Sequence, residues 1–154
     1  YEYIRNRTKK PSSWYLDLSL VNDYWREEHI PQYTVAVSSI YGLYESLRLL
    51  EDEGIEERWT RHKDNAEKLR KGLLELNINL PISERDRLDQ LTVITKPNHI
   101  DDVKFRNRLI NHYSIEIGRG LGEFEGKVFR IGLMGESCKS EYVDLILEIL
   151  KKEI

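Results

Sequence analysis

A single cysteine, Cys138, has nothing to pair with inside the 154-residue chain, so no internal disulfide can form. That fits a reducing compartment, and the expectation is a cytoplasmic protein. No apolar run approaches the roughly 20 residues that a helix needs to span a bilayer, and no signal-peptide pattern is present. No membrane partner is therefore expected. Charge of one sign is missing too: 24 Lys+Arg against 27 Asp+Glu leave a formal net charge of -3, with acids and bases interspersed. A nucleic-acid surface wants a basic stripe, so that partner is not expected either. The four histidines, His29, His62, His99 and His112, show no metal spacing, which makes them structural or surface residues by default. Cys138 has no base beside it in sequence and makes a poor nucleophile. No self-contained catalytic constellation is found, so any enzymatic chemistry is expected to lie outside this chain. The first residue is Tyr1 rather than methionine, and the expectation is a piece of something longer.

What is present suits a globular protein: hydrophobic residues are 40% and charged residues 33%, enough for one domain with a core, or one domain and part of another. The stretch with the sharpest chemistry is Gly126-Lys127-Val128-Phe129-Arg130-Ile131-Gly132-Leu133-Met134-Gly135. It reads as a half-buried strand with one permanent positive charge at its middle. A guanidinium is costly to bury unpaired, and its flat fork of donors matches a carboxylate. Arg130 is thus either paired with an internal acid or reserved for the acid of a ligand.

Helical periodicity predicts a helix over 13–26, with Trp14, Leu18, Val21 and Trp25 on one face. A longer one covers 34–53, with Val37, Ile40, Tyr44, Leu47 and Leu50 as its stripe, Thr34 at its N-cap and Gly54 at its stop. A third covers 55–76, striped by Ile55, Trp59, Ala66, Leu69, Leu73 and Leu76. Further helices are expected over 100–113 and over 140–152, the last capped by Ser140. Strands are expected at 91–95, 115–117 and 127–133, with a short extended piece at 79–82. Together these give an α+β layer, a small antiparallel or mixed sheet covered by helices. Gly118, Gly120 and Gly122 invite a phosphate-loop reading, but they run between two strands, where a hairpin loop is the plainer reading. Acid runs such as Glu51-Asp52-Glu53 read as solvated helix ends.

Four segments carry a family resemblance. They are Ser13-Trp14-Tyr15-Leu16-Asp17; the run from Tyr33-Thr34-Val35-Ala36-Val37 through Ser38-Ser39-Ile40-Tyr41-Gly42 to Leu43-Tyr44-Glu45-Ser46-Leu47; Ile115-Glu116-Ile117-Gly118-Arg119-Gly120-Leu121-Gly122; and the Arg130 stretch itself. In this order they resemble the class V pyridoxal-phosphate aminotransferases, in the alanine–glyoxylate or serine–pyruvate branch, over nearly the whole chain and in their C-terminal part. The resemblance implies the small C-terminal domain of the aspartate-aminotransferase fold type at 54–154, an interdomain helix at 34–53, and a remnant of the large cofactor-binding domain at 1–33. It also implies a homodimer, or a complementing N-terminal half. The cofactor it implies is pyridoxal 5'-phosphate, with Thr34 and Tyr33 expected toward its phosphate in the partner subunit. Arg130 is implied as the residue that binds the substrate α-carboxylate.

The complete protein is then expected to move an amino group from an amino acid, alanine or serine, to a keto acid, glyoxylate or pyruvate. The family's Schiff-base lysine lies upstream of Tyr1, and Lys9 and Lys10 fall after its position. No residue of this chain is expected to be catalytic, and the chain alone is expected to be inactive. Two alternatives stay open: a non-catalytic α+β module for dimerisation or small-acid binding, and part of a related class V enzyme such as a cysteine desulfurase.

Overall fold

Alternation builds the sheet. In β1 (Leu91–Thr95), Thr92 and Ile94 are buried while Leu91, Val93 and Thr95 are half-exposed. This is the period-2 pattern of a strand with one face against a core. β1 pairs antiparallel with β3 (Val128–Gly132), placing Ile94 opposite Phe129, Thr92 opposite Ile131 and Val93 opposite Arg130. The two-residue β2 (Gly118–Arg119) pairs with the other side of β3, so the order is β1-β3-β2 and antiparallel throughout. The expected strand at 115–117 is displaced. Ser114 ends the preceding helix at φ 55, and the Ile115 N–H donates to the Leu109 carbonyl at 3.2 Å. Ile115 thus closes a helix end, and pairing begins only at Gly118. The piece at 79–82 forms no strand, although the Asn79 carbonyl accepts from the Thr95 N–H at 2.9 Å and Ile78 and Leu80 are buried.

The computed structural model describes residues 2–25 and 34–154, which fall into two units, Tyr1–Leu49 and Leu50–Ile154. In the second unit, α4 (Ile55–Glu75), α5 (Asp102–Tyr113) and α6 (Ser140–Glu153) join one face of the sheet in a single core. α4 contributes Ala66, Leu69 and Leu73; α5 contributes Phe105 and Leu109; α6 contributes Val143, Ile146, Ile149 and Leu150. The rings of Phe105 and Phe129 meet at 5.2 Å. The α4 stripe buries only part of its expected length, since Ile55 and Trp59 are exposed, as are Val103 and Ile110 on α5. Gly54, at φ 86, separates α3 (Val37–Glu53) from α4 as expected. The expected cap at Ser140 is corrected: Lys139 holds the cap position, and Ser140 Oγ accepts from Lys68 Nζ at 2.7 Å.

The first unit holds α1 (Glu2–Arg5), α2 (Leu18–Trp25) and most of α3 (Val37–Glu53). The expected helix over 13–26 starts late. The Asp17 carboxylate accepts the Ser19 N–H at 3.0 Å and the Ser19 hydroxyl at 2.5 Å, and pairs with Arg7. This caps a helix that begins at Leu18 and leaves Trp14–Leu16 as one 3-10 turn. Arg26 lies outside the described residues. The cap expected at Thr34 is also corrected: α3 starts at Val37, where the Ala36 carbonyl accepts the first bonds from Ser39 and Ile40 at 3.0 and 3.1 Å. Among the described residues, no helix is long and apolar enough to cross a membrane.

Candidate functional site

Arg130 is the middle residue of the middle strand, on the face of the sheet turned away from the helical core. Its neighbours on that face are Val93 across one ladder and Gly118 across the other. Nε donates to the Arg119 carbonyl at 2.8 Å. Among the described residues no carboxylate pairs with Arg130, and no acceptor engages its two terminal nitrogens. Of the two fates open to this guanidinium, pairing with an internal acid is not observed.

Gly118 explains how the side chain lies. A Cβ built there would stand 3.3 Å from both Nε and Nη2 of Arg130. The missing side chain leaves the guanidinium room to lie against β2 at Gly118, with Nε tethered to the Arg119 carbonyl. Gly120 does a different job. A Cβ there would meet the Phe124 carbonyl oxygen at 1.9 Å, so the loop from β2 to β3 can fold this tightly only over a glycine. The glycine cluster is therefore a connection between two strands, as its sequence context suggests.

Beyond β3, the chain enters a 3-10 turn, Gly135–Ser137, held from α4 by three side chains, Arg61, His62 and Asn65. Arg61 Nη1 donates to the carbonyls of Gly135 at 3.0 Å and Cys138 at 2.5 Å. Arg61 Nε and Nη2 grip Glu53 in two-pronged fashion at 2.5 and 2.9 Å, and Arg58 Nε adds a third bond to Glu53 at 2.7 Å. Asn65 Nδ2 donates to the Cys138 carbonyl at 3.2 Å. His62 donates from Nδ1 to the Arg58 carbonyl at 2.7 Å and accepts the Gly135 N–H at Nε2 at 3.2 Å, which fixes its ring hydrogen on Nδ1. The Arg61 hydrogen bond, helped by Arg58, lowers the Glu53 carboxyl from 4.5 to about 2. Glu53 is thus no solvated helix end but the anchor of a clamp on the exit of the arginine-bearing strand. Burial pushes the Cys138 thiol up, in line with its poor prospects as a nucleophile.

The remaining site candidates belong to the first unit. Thr34 is exposed, three residues ahead of α3. The first turn of α3 carries no acidic residue. Tyr33 lies outside the described residues. Among the described residues, no group of three or more His, Cys, Asp or Glu could hold a metal ion. The clamp was missed from sequence. Its signal was the polar spacing Arg58, Arg61, His62, Asn65 on one face of a helix whose other face is apolar.

No family model matches the sequence. Individual proteins do. The (S)-ureidoglycine–glyoxylate transaminase of Bacillus subtilis is 35% identical over 88% of the chain, and the alanine–glyoxylate aminotransferase of Mus musculus is 33% identical over 98%. The crystal structure of an alanine–glyoxylate aminotransferase from Nostoc sp. superposes with a TM-score of 0.89 at 37% identity, over 98% of the chain. The chain spans only 33%, 37% and 40% of the lengths of these three proteins, respectively. Identity and fold agree over the same residues, and along nearly its whole length the chain is similar to part of each of these aminotransferases.

Proposed function

We infer that this chain serves a pyridoxal-phosphate-dependent transaminase, in which Arg130 receives the α-carboxylate of the amino acid or keto acid. One observation carries the reading: a mid-strand guanidinium, tethered only through Nε, with both terminal nitrogens unengaged among the described residues. Those nitrogens match the two oxygens of a carboxylate. A substrate held at that end keeps its Cα in one place, which is the protein's part of the work. The amino group passes from an amino acid such as alanine or serine to a keto acid such as glyoxylate or pyruvate. The names of the relatives support that substrate class.

The residues present fit one end of the cofactor. The Thr34 hydroxyl, close ahead of a helix start with no acid in its first turn, suits a phosphate. Thr34, with Tyr33 beside it, would hold that phosphate across a homodimer interface in a cytoplasmic enzyme. Pyridoxal phosphate, when bound, supplies the electron sink for the chemistry at Cα. The lysine that carries it is assigned to the part of the protein preceding Tyr1. In the same reading, residues 1–33 close the large domain, 34–53 form the interdomain helix, and 54–154 form the small domain.

The test is made on the full-length protein. A charge-assisted two-pronged pair in a partly dry site is worth roughly 2–4 kcal/mol. Arg130→Ala should therefore lose on the order of 30- to 1000-fold in kcat/KM for α-amino acids, with Arg130→Lys in between. An amine donor lacking the carboxylate should be nearly unaffected. Equal losses for both donors, together with a lowered Tm, would identify Arg130 as a structural residue and remove the basis of the proposal.

A further inference from the structure

On the face of the sheet that carries Arg130, β3 contributes Val128, Arg130 and Gly132, because residues two apart in a strand point the same way. The two neighbours of the guanidinium differ sharply. Val128 is 4% exposed, with Cγ2 3.1 Å from the place of a Gly120 Cβ, so the β2–β3 connection already covers that end of the row. Gly132 is exposed and has no side chain, which leaves an open floor beside Arg130. Leu91 and Val93 edge this floor from β1, opposite Gly132 and Arg130.

Met134 closes the far end. Leu133 turns into the core, while Met134 folds back and brings its Cε to 3.6 Å from where a Gly132 Cβ would stand. Among the described residues, nothing else apart from its chain neighbours comes within 4 Å of that position. The backbone of Met134 is pinned. Its N–H donates to Ser137 Oγ at 3.1 Å, the same hydroxyl donates to its carbonyl at 2.8 Å, and the next N–H, that of Gly135, is held by His62 at 3.2 Å. Met134 itself is 56% exposed, so this placement does not serve the core. The geometry points to Met134 as a specificity-determining residue, its thioether methyl limiting the length of side chain on the amino acid whose carboxylate Arg130 holds. This rests on the reading of Arg130 as the carboxylate clamp. Two strand rises put Gly132 about 6.8 Å from Arg130. A carboxylate and its Cα use most of that span, so the methyl stands where the outer carbons of a longer side chain would go. A methyl or hydroxymethyl side chain stops short of it, and an unbranched three-carbon one runs into it.

Two measurements on the full-length protein test this. The first needs no turnover. With methionine methyls labelled with carbon-13 and the Met134 signal assigned by its loss in Met134→Leu, titration with butyrate should shift that signal saturably. Arg130→Ala should abolish the shift. The second compares donors. Met134→Ala should raise the ratio of kcat/KM for L-norvaline over L-alanine by about tenfold, since one or two methylenes in an apolar slot are worth that much. Met134→Leu, which conserves volume, should keep the ratio within about threefold of the parent's. The Tm of both variants should stay close to the parent's, because the side chain is largely exposed. Butyrate that competes with the amino donor only when Arg130 is present, yet leaves the Met134 signal unmoved, would overturn this inference and leave the clamp standing. So would an unchanged donor ratio in Met134→Ala. Butyrate that competes equally well in Arg130→Ala, or that never competes, would remove the clamp and this inference with it.

Discussion

Gly118 and Gly120 are two residues apart and are glycine for different reasons, so they should fail differently. At Gly120 the obstacle is a backbone carbonyl, 1.9 Å from where a Cβ would sit, and a backbone cannot swing aside as a side chain can. Gly120→Ala should cost about 3 kcal/mol through displacement of the β2–β3 connection, seen as a lower midpoint in urea. At Gly118 the obstacle is the Arg130 guanidinium at 3.3 Å, the far end of a flexible side chain. Gly118→Ala should leave the midpoint within about 1 kcal/mol of the parent. It should instead raise KM for α-amino acids by about three- to tenfold, because a clamp shifted by a few tenths of an ångström still binds but aims worse. A change in KM that is absent with a carboxylate-free amine would tie the effect to the guanidinium.

The element that organises the site from outside is α4, which gives one face to the core and another to the turn after β3. Its clamp depends on an ionised Glu53, and this sets a pH dependence with a definite sign. The carboxyl titrates at about 2 in the fold against an ordinary 4.5, so the folded state favours the unprotonated form. The Glu53 contribution is complete above about pH 4.5 and fades as the pH falls from there toward 2. Glu53→Gln should destabilise by about 1–2 kcal/mol at neutral pH, a modest figure because the pair is partly solvated. Its difference from the parent should shrink when unfolding is measured near pH 2.5. A difference independent of pH would locate the role of Glu53 in packing instead.

The core elements were legible in the sequence: periodicity reports burial directly for Ala66, Leu69 and Leu73 on α4 and for Val143 to Leu150 on α6, and β1 announced itself by its β-branched residues. Boundaries were less legible, because they depend on single hydrogen bonds. Asp17 capturing Ser19 and Ile115 donating to Leu109 are tertiary or turn choices that no stripe announces. Arg130 stood out as a charge inside an apolar strand. Gly118 as its cradle did not, because a close approach across a ladder depends on register.

At the scale of the whole chain, burial is divided unequally. The second unit holds the continuous apolar core, whereas in the first unit the only buried residue among those described is Asp17. Val37, Ile40, Tyr44 and Leu47, the expected inner stripe of α3, are all more than half exposed. A 17-residue helix without packing is marginal in water. In the isolated chain, hydrogen exchange should therefore be fast over residues 37–49 and slow in β3, by orders of magnitude. The uncovered tryptophans and leucines should also make the chain self-associate, with sedimentation mass rising with concentration. Strictly monomeric behaviour over a wide concentration range would count against a truncated interface.

Cys138 turns this architecture into its own clock. It is the only thiol in the sequence, is fully buried, and sits where Arg61 and Asn65 hold its carbonyl against α4. A disulfide reagent in solution reaches it only when that contact parts. Once reclosing outruns labelling, the ratio of the observed rate to that of an unfolded thiol is the open fraction of the clamp. One colour change, with no introduced probe, then times the loosening of the strand exit behind Arg130.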